Sequence, residues 1–409
     1  MNNTKRIKLA CYSMNVSMAV VGNLPPLLFI TFHNAYEISY TMLGLLVLIN
    51  FSTQLIIDLI FSFFSHKFNI HKTVKITPLL TMLGFLIFIL WPTLLPEYAY
   101  LGLVLGTVVF SSSAGLAEVL LNPVIAALPS DNTERDLSML HSSYAWGAVG
   151  VVLVGTLSIL IFGSENWQWL VLFMMCLPLL SFFLYFGAKL PEISTGGSSK
   201  GAGAVFKNGQ LWLCVVAIFL GGALECTMAQ WCSGFAEIAL GVPKIYGDIF
   251  GVALFSIMLG TGRTLYTKYG KHIERVLLVG VCGSLACYLT AAISGNAVIG
   301  LLACAFTGLS ASMLWPGSII TVSERVPTGG VIMYALMAAG GDLGASVGPE
   351  LVGVITDTIS KNPGMTSYAQ SIGLSSEQLG MKCGLLIGAF FAIIAIPVYI
   401  RIFKTRKVK

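Results

Sequence analysis

Runs of 18 or more predominantly apolar residues recur along almost the whole chain, and that is the length a helix needs to cross the hydrocarbon core of a bilayer. They lie near Leu9 to Phe32, Tyr40 to Phe64, Val74 to Leu95, Tyr98 to Ala127, Leu137 to Phe162 and Trp167 to Gly187. A second set lies near Gln210 to Ala239, Ile249 to Leu265, Val276 to Ile293, Val298 to Val322, Gly330 to Thr356 and Leu379 to Phe403. The pattern predicts an all-α integral membrane protein with twelve transmembrane helices. Twelve spans of about 21 residues take up roughly 250 positions, which leaves no room for a sizeable soluble catalytic domain in a chain of 409 residues. Composition agrees, since 56% of the residues are hydrophobic and only 10% are charged.

The two sets are separated by Pro191-Glu192-Ile193-Ser194-Thr195-Gly196-Gly197-Ser198-Ser199-Lys200-Gly201, a composition that cannot span a bilayer and reads as a flexible linker. The expected organisation is a six-helix half over 1–190, a cytoplasmic linker over 191–209 and a second six-helix half over 210–409. A net charge of +5 invites a nucleic-acid reading, but the 23 Lys and Arg are not gathered into one patch. With the N-terminus inside, all of them except Lys244, Lys361 and Lys382 fall on cytoplasmic segments, which predicts an even helix count with both termini in the cytoplasm. The basic start followed by an apolar run resembles a signal peptide. The run is long and lacks a small-residue cleavage site, so it reads as an uncleaved first helix. The nine cysteines lie in or beside apolar runs, and their odd number and spacing suggest neither a disulfide framework nor a metal site. Compact loops fit a monomer in a bacterial plasma membrane, with lipid and a small solute as its partners and no cofactor.

An internal repeat links the halves. Gly115-Leu116-Ala117-Glu118-Val119-Leu120-Leu121-Asn122-Pro123 matches Gly308-Leu309-Ser310-Ala311-Ser312-Met313-Leu314-Trp315-Pro316 at Gly, Leu, Leu and Pro with the same spacing. Tyr144-Ala145 with Gly150 matches Tyr334-Ala335 with Gly340, and Lys67-Phe68-Asn69 echoes Lys268-Tyr269-Gly270. The common order argues for two parallel six-helix repeats, the plan of the major facilitator superfamily. The two basic loops resemble that superfamily's signature Gly-x-Leu-x-Asp-Arg-x-Gly-Arg-Arg, although its acid position holds His66 and Thr267 and Asn69 replaces a glycine. Glu118 with Asn122-Pro123, then Leu140-His141-Ser142-Ser143-Tyr144-Ala145-Trp146-Gly147, and Glu225 followed by Trp231 resemble the fucose permease type of sugar and proton symporter. That branch has a carboxylate in helix 1. Here the region reads Val21-Gly22-Asn23-Leu24-Pro25-Pro26, and Asn23 is the polar candidate for substrate contact.

Polar residues inside the spans are the candidate site, because a carboxylate at mid-membrane costs roughly 2.5–3.5 kcal/mol on insertion scales and needs a partner, water or a proton. Glu118 lies about 27 Å along its helix from Tyr100, near the midplane, with Asn122 one turn further. Its equivalent in the repeat is Ala311, so scaffold symmetry does not require an acid there. Glu118 is the expected proton carrier and Asn122 the hydroxyl-binding amide. Glu225 lies near the middle of its helix, with Gln230 to bind hydroxyls and Trp231 to stack on a sugar face; the alternative is a satisfied buried acid and an interfacial tryptophan. Asp342 sits in a small-residue row with Gly340, Gly344 and Gly348, which suits close helix packing or gating. Asp58 is a gating candidate that could pair with Arg263 or Lys67. His141 could share the Glu118 proton or cap its helix, with Tyr144 one turn on, and Trp315 beside Pro316 is a candidate opposite wall where a bend is expected.

Two G-x-S-x-G strings, Gly344 to Gly348 and Gly197 to Gly201, follow no strand and are accidental matches, and the sequence contains no P-loop or H-E-x-x-H motif. The expectation is a secondary transporter working by alternating access rather than an enzyme: proton-coupled uptake of a monosaccharide or similar solute. The alternatives are a proton-driven efflux antiporter for amphipathic compounds and a non-transporting membrane sensor.

Overall fold

The computed structural model describes residues 2–64, 68–130, 133–191, 207–326 and 330–405. Among them there is no β-strand, and each expected apolar run is helical. Among the described residues, nine stretches are long and apolar enough to cross a membrane, and one bent pair makes a tenth. The chain divides into two compact units, Met1–Glu37 with Ile49–Ser199, and Ile38–Leu48 with Lys200–Lys409.

In the first unit, α1 (Asn3–Leu27) and α2 (Phe29–Tyr36) form the pair bent by 47°. Pro25 and Pro26 remove two consecutive N–H donors from the helical ladder, and the cap N–H of Leu28 turns back to the carbonyl of Pro25 at 3.0 Å. Then come α3 (Tyr40–Phe64), α4 (Ile70–Leu94), α5 (Ala99–Ala126) and α6 (Thr133–Phe162), of which only the Trp146–Phe162 part is continuously apolar. A break at Met175 separates α7 (Trp167–Met174) from α8 (Cys176–Tyr185), where Pro178 has no N–H for the carbonyl of Met174. Glycines let α4 and α5 touch: a Cβ at Gly84 would stand 2.5 Å from the Phe110 backbone nitrogen, and one at Gly106 would stand 2.7 Å from Phe88 Cβ. Arg6 of α1 closes the end of α8, donating to the carbonyls of Leu184 at 2.8 Å, Phe183 at 3.0 Å, and Phe186. Lys8 joins Asp136 of α6 at 2.6 Å.

In the second unit, α9 (Gly209–Leu240) is the axis around which the other helices pack. A π-helical stretch, Gly247–Ala253, leads into α10 (Leu254–Tyr269). It is followed by α11 (Ile273–Ile293), α12 (Ala297–Ala311), α13 (Leu314–Arg325), α14 (Gly330–Ser360), α15 (Pro363–Ser371) and α16 (Ser376–Lys404). The row Gly340, Gly344 and Gly348 faces α9. Side chains there would meet the carbonyls of Val215, Phe219 and Ala223. The start of α3 belongs to this unit: the backbone N–H groups of Tyr40 and Thr41 donate to the Asp357 carboxylate at 3.3 and 2.7 Å. An acid on one helix thus caps the first turn of another.

The repeat is visible in the packing of each unit. A Cβ at Gly115 of α5 would stand 2.9 Å from the carbonyl oxygen of Gln54 in α3, and one at Gly308 of α12 would collide with the carbonyl of Phe255 in α10. Gln54 and Phe255 are 201 residues apart, the same offset as the two basic loops.

Candidate functional site

The polar groups of the first unit gather on α1, α3, α5 and α6. Glu118 interrupts an apolar helix and is exposed rather than packed in the core. The side chains of Asn122 and His141 lie outside the described residues; their backbones continue α5 and α6. Tyr144 is exposed, and its hydroxyl lies 3.1 Å from where a Cβ on Gly22 would stand, so that glycine of α1 makes room for it. Asn23 is half-buried and donates to the carbonyl of Ala19 in its own helix at 2.8 Å.

Two polar groups that the sequence reading missed complete this region. Asn15 of α1 is buried and donates to the Leu140 carbonyl at 2.6 Å and to Ser143 Oγ at 3.2 Å, which fixes α6 beside the positions of His141 and Tyr144. Asn50 of α3 accepts from Ser111 Oγ at 2.6 Å and from Gln54 Nε2 at 3.0 Å, all three side chains being buried. Asp58 continues that stripe, 7% exposed, and a Cβ at Gly115 would stand 2.9 Å from its Oδ1. The spacing Asn50, Gln54, Asp58 within an apolar run was the available signal, because residues four apart share a helix face.

In the second unit the structure joins two residues to which the sequence reading gave separate roles. Arg263 Nη2 donates to both carboxylate oxygens of Glu225, at 2.8 and 2.9 Å. Arg263 Nε donates to the Ser312 carbonyl at 3.1 Å. That carbonyl is left over at the turn between α12 and α13, because Pro316 cannot donate to it. A side chain at Gly262 would collide with Ser312 Oγ, so the glycine lets α10 bring its arginine up to the turn. Arg263 is 37% exposed against 13% for Glu225, an acid held mostly in the protein beside a more exposed cation. Trp315, also at the turn, lies over Gly341 and Gly222, whose Cβ atoms would stand 2.6 and 3.0 Å from its ring. Asp342, next to Gly341, is buried.

Trp231 requires a correction. It is fully buried, its N–H donates to the Pro349 carbonyl at 2.8 Å, and its ring meets Tyr40 edge-on at 6.4 Å. Neither its face nor its N–H is presented to a solute, and it is no surface anchor. It is a packing residue, drawn inward because α9 is enclosed by its neighbours. Gln230 beside it is buried too, and both lie more than a turn along α9 from Glu225.

The family model described as Major Facilitator Superfamily matches residues 10–349. The chain belongs to the Major Facilitator Superfamily. Among curated proteins it is similar to the membrane protein MosC of Rhizobium meliloti, 23% identical over 334 residues that cover 80% of this chain and 78% of that one. Among solved structures, a bacterial homologue of the human lysosomal transporter Spinster superposes with a TM-score of 0.74 at 14% identity, covering 98% of this chain and 96% of the other. The fucose:proton symporter of E. coli superposes with a TM-score of 0.58 at 16% identity, covering 97% and 99%. These likenesses establish the fold. Members of the superfamily are transporters, and this chain is a multi-pass integral membrane protein of the secondary transport class. Of the eroded loop signature, His66 and Lys67 in its first copy, and the Thr267 side chain in its second, lie outside the described residues.

Proposed function

We propose that this superfamily member takes up a monosaccharide or a similar small polar solute together with a proton, by alternating access in a bacterial plasma membrane with both termini cytoplasmic. The observation that carries the reading is Glu118. A carboxyl group about two-thirds of the way along an apolar helix, exposed from the core and with alanine at its mirror position, is costly to the scaffold and suited to loading and releasing a proton. Asn122, Tyr144 and Asn23 supply amide and hydroxyl groups on the same unit, complementary to sugar hydroxyls. On the second unit Glu225 and Arg263 form a charged surface beside Trp315, whose ring offers an apolar face to the C–H side of a pyranose. Trp231 drops out of the substrate-binding set, while Gln230 stays an amide candidate on α9. The distribution of Lys and Arg supports the orientation. Proteoliposomes with an imposed pH gradient, loaded against a panel of monosaccharides, polyols and amphipathic cations, test the reading. It predicts accumulation of a sugar or polyol that collapses with a protonophore. Gradient-driven expulsion of the amphipathic compounds, with no sugar uptake, would replace it with efflux.

A further inference from the structure

The seam between α3 and α5 contains more polar groups than packing needs. Asn50, Gln54 and Asp58 occupy one face of α3 at four-residue spacing, and all three are buried in a helix whose other polar side chains are hydroxyls. Opposite them on α5 stand Ser111, which donates to Asn50, and Gly115, whose missing side chain admits the Asp58 carboxylate to the helix backbone. Glu118 follows Gly115 by three residues, about 4.5 Å of rise on the same side of α5. Buried Asp58 therefore meets α5 at Gly115, one turn before exposed Glu118.

The mirror seam in the second unit gives the control. Applying the repeat offsets, Gln54 becomes Phe255, Asp58 becomes Leu259, Ser111 becomes Cys304, Gly115 becomes Gly308 and Glu118 becomes Ala311. There the helices pack at least as closely, backbone to glycine, with no charge and no amide among these positions. Close packing of such a seam therefore does not call for its acids.

We infer that Asp58 shares the proton carried by Glu118, an inference that rests on Glu118 being the carrier. Two carboxylates on one seam repel when both are ionised, which favours the state in which the pair holds one proton. The proton enters from water at exposed Glu118, is held between the two carboxyl groups, and leaves by Glu118; one H⁺ is gained and one released per cycle, and no other bond changes. Asp58 acts through Glu118 and is a positioning residue. Other titratable or charged groups on the elements packed around this stretch are Lys5, Arg6, Lys8, Cys11 and Tyr12 of α1, His71, Lys72 and Lys75 of α4, Glu134, Arg135, Asp136, His141 and Tyr144 of α6, and Cys176 and Tyr185 of α8; α4 also contributes the hydroxyls of Thr77 and Thr81. Cys11 and Tyr185 bond each other at 3.2 Å, and Lys8 pairs with Asp136.

Infrared titration of the purified protein in liposomes, without solute, reads this directly through the carbonyl band of a protonated carboxylic acid. The wild type is expected to show the band near neutral pH, and both Glu118→Gln and Asp58→Asn to lose it. Loss in Glu118→Gln alone would overturn the sharing and leave the carrier assignment standing. Loss in Asp58→Asn alone, or in neither variant, would overturn both. Asp58→Ser serves as the second variant should Asp58→Asn not fold, and the same outcomes apply to it.

Discussion

Gly115 and Gly308 open equivalent seams, one in each unit, and the seams hold opposite chemistry. In the first, α3 and α5 bring together Asn50, Gln54, Asp58, Ser111 and Glu118; in the second, Phe255, Leu259, Cys304 and Ala311 occupy the corresponding places. The backbone architecture is thus shared while the polarity is not, which separates what the fold requires from what one unit does. The second unit keeps charge elsewhere, among it the Glu225–Arg263 pair held by the interrupted α12–α13 rod.

The comparison can be broken by moving the acid. Ala311→Glu places a carboxylate at the mirror position and should cost roughly 3 kcal/mol on insertion scales. It should lower the yield of inserted protein and add no proton flux; a gain of flux would mean that position alone, and not the seam around it, confers coupling. Arg263→Ala tests the second unit's own charge, since it leaves a mostly buried Glu225 without its cation. Removing one partner of a buried pair costs about 3–5 kcal/mol, and the partial exposure of Arg263 puts the expected loss at or below the lower end of that range. Adding Glu225→Gln should restore most of the melting temperature in detergent, and failure to do so would contradict the pairing. Asp357→Ala removes the cap on α3 and should cost about 1 kcal/mol, while Lys361→Ala, whose side chain is 70% exposed beside Asp357, should change stability by about 0.5 kcal/mol or less.

Much of this molecule was legible from the order of its residues, because lipid forces every backbone polar group into helices and leaves length and apolarity as the signal. The bend near Pro316 was expected from its missing donor; the one at Pro25-Pro26 has the same cause but was read as part of one continuous span. The small-residue row on α14 was legible as a packing face, although the identity of its partner, α9, was not. Long-range pairings were hidden. Glu225 and Arg263 are 38 residues apart, and Asp357 caps a helix that begins 317 residues before it. Trp231 was misread because a tryptophan in an apolar run gives no sign of which side its helix encloses. The Asn50–Gln54–Asp58 stripe was readable by periodicity, yet only the seam with α5 gives Asp58 a partner surface beside Glu118.

The central claim is that Glu118 carries the coupled proton. In proteoliposomes with a pH-sensitive dye inside, addition of the transported solute should acidify the lumen in the wild type. Glu118→Gln should exchange solute across the membrane with no acidification. Acidification at the wild-type rate in Glu118→Gln would contradict the account.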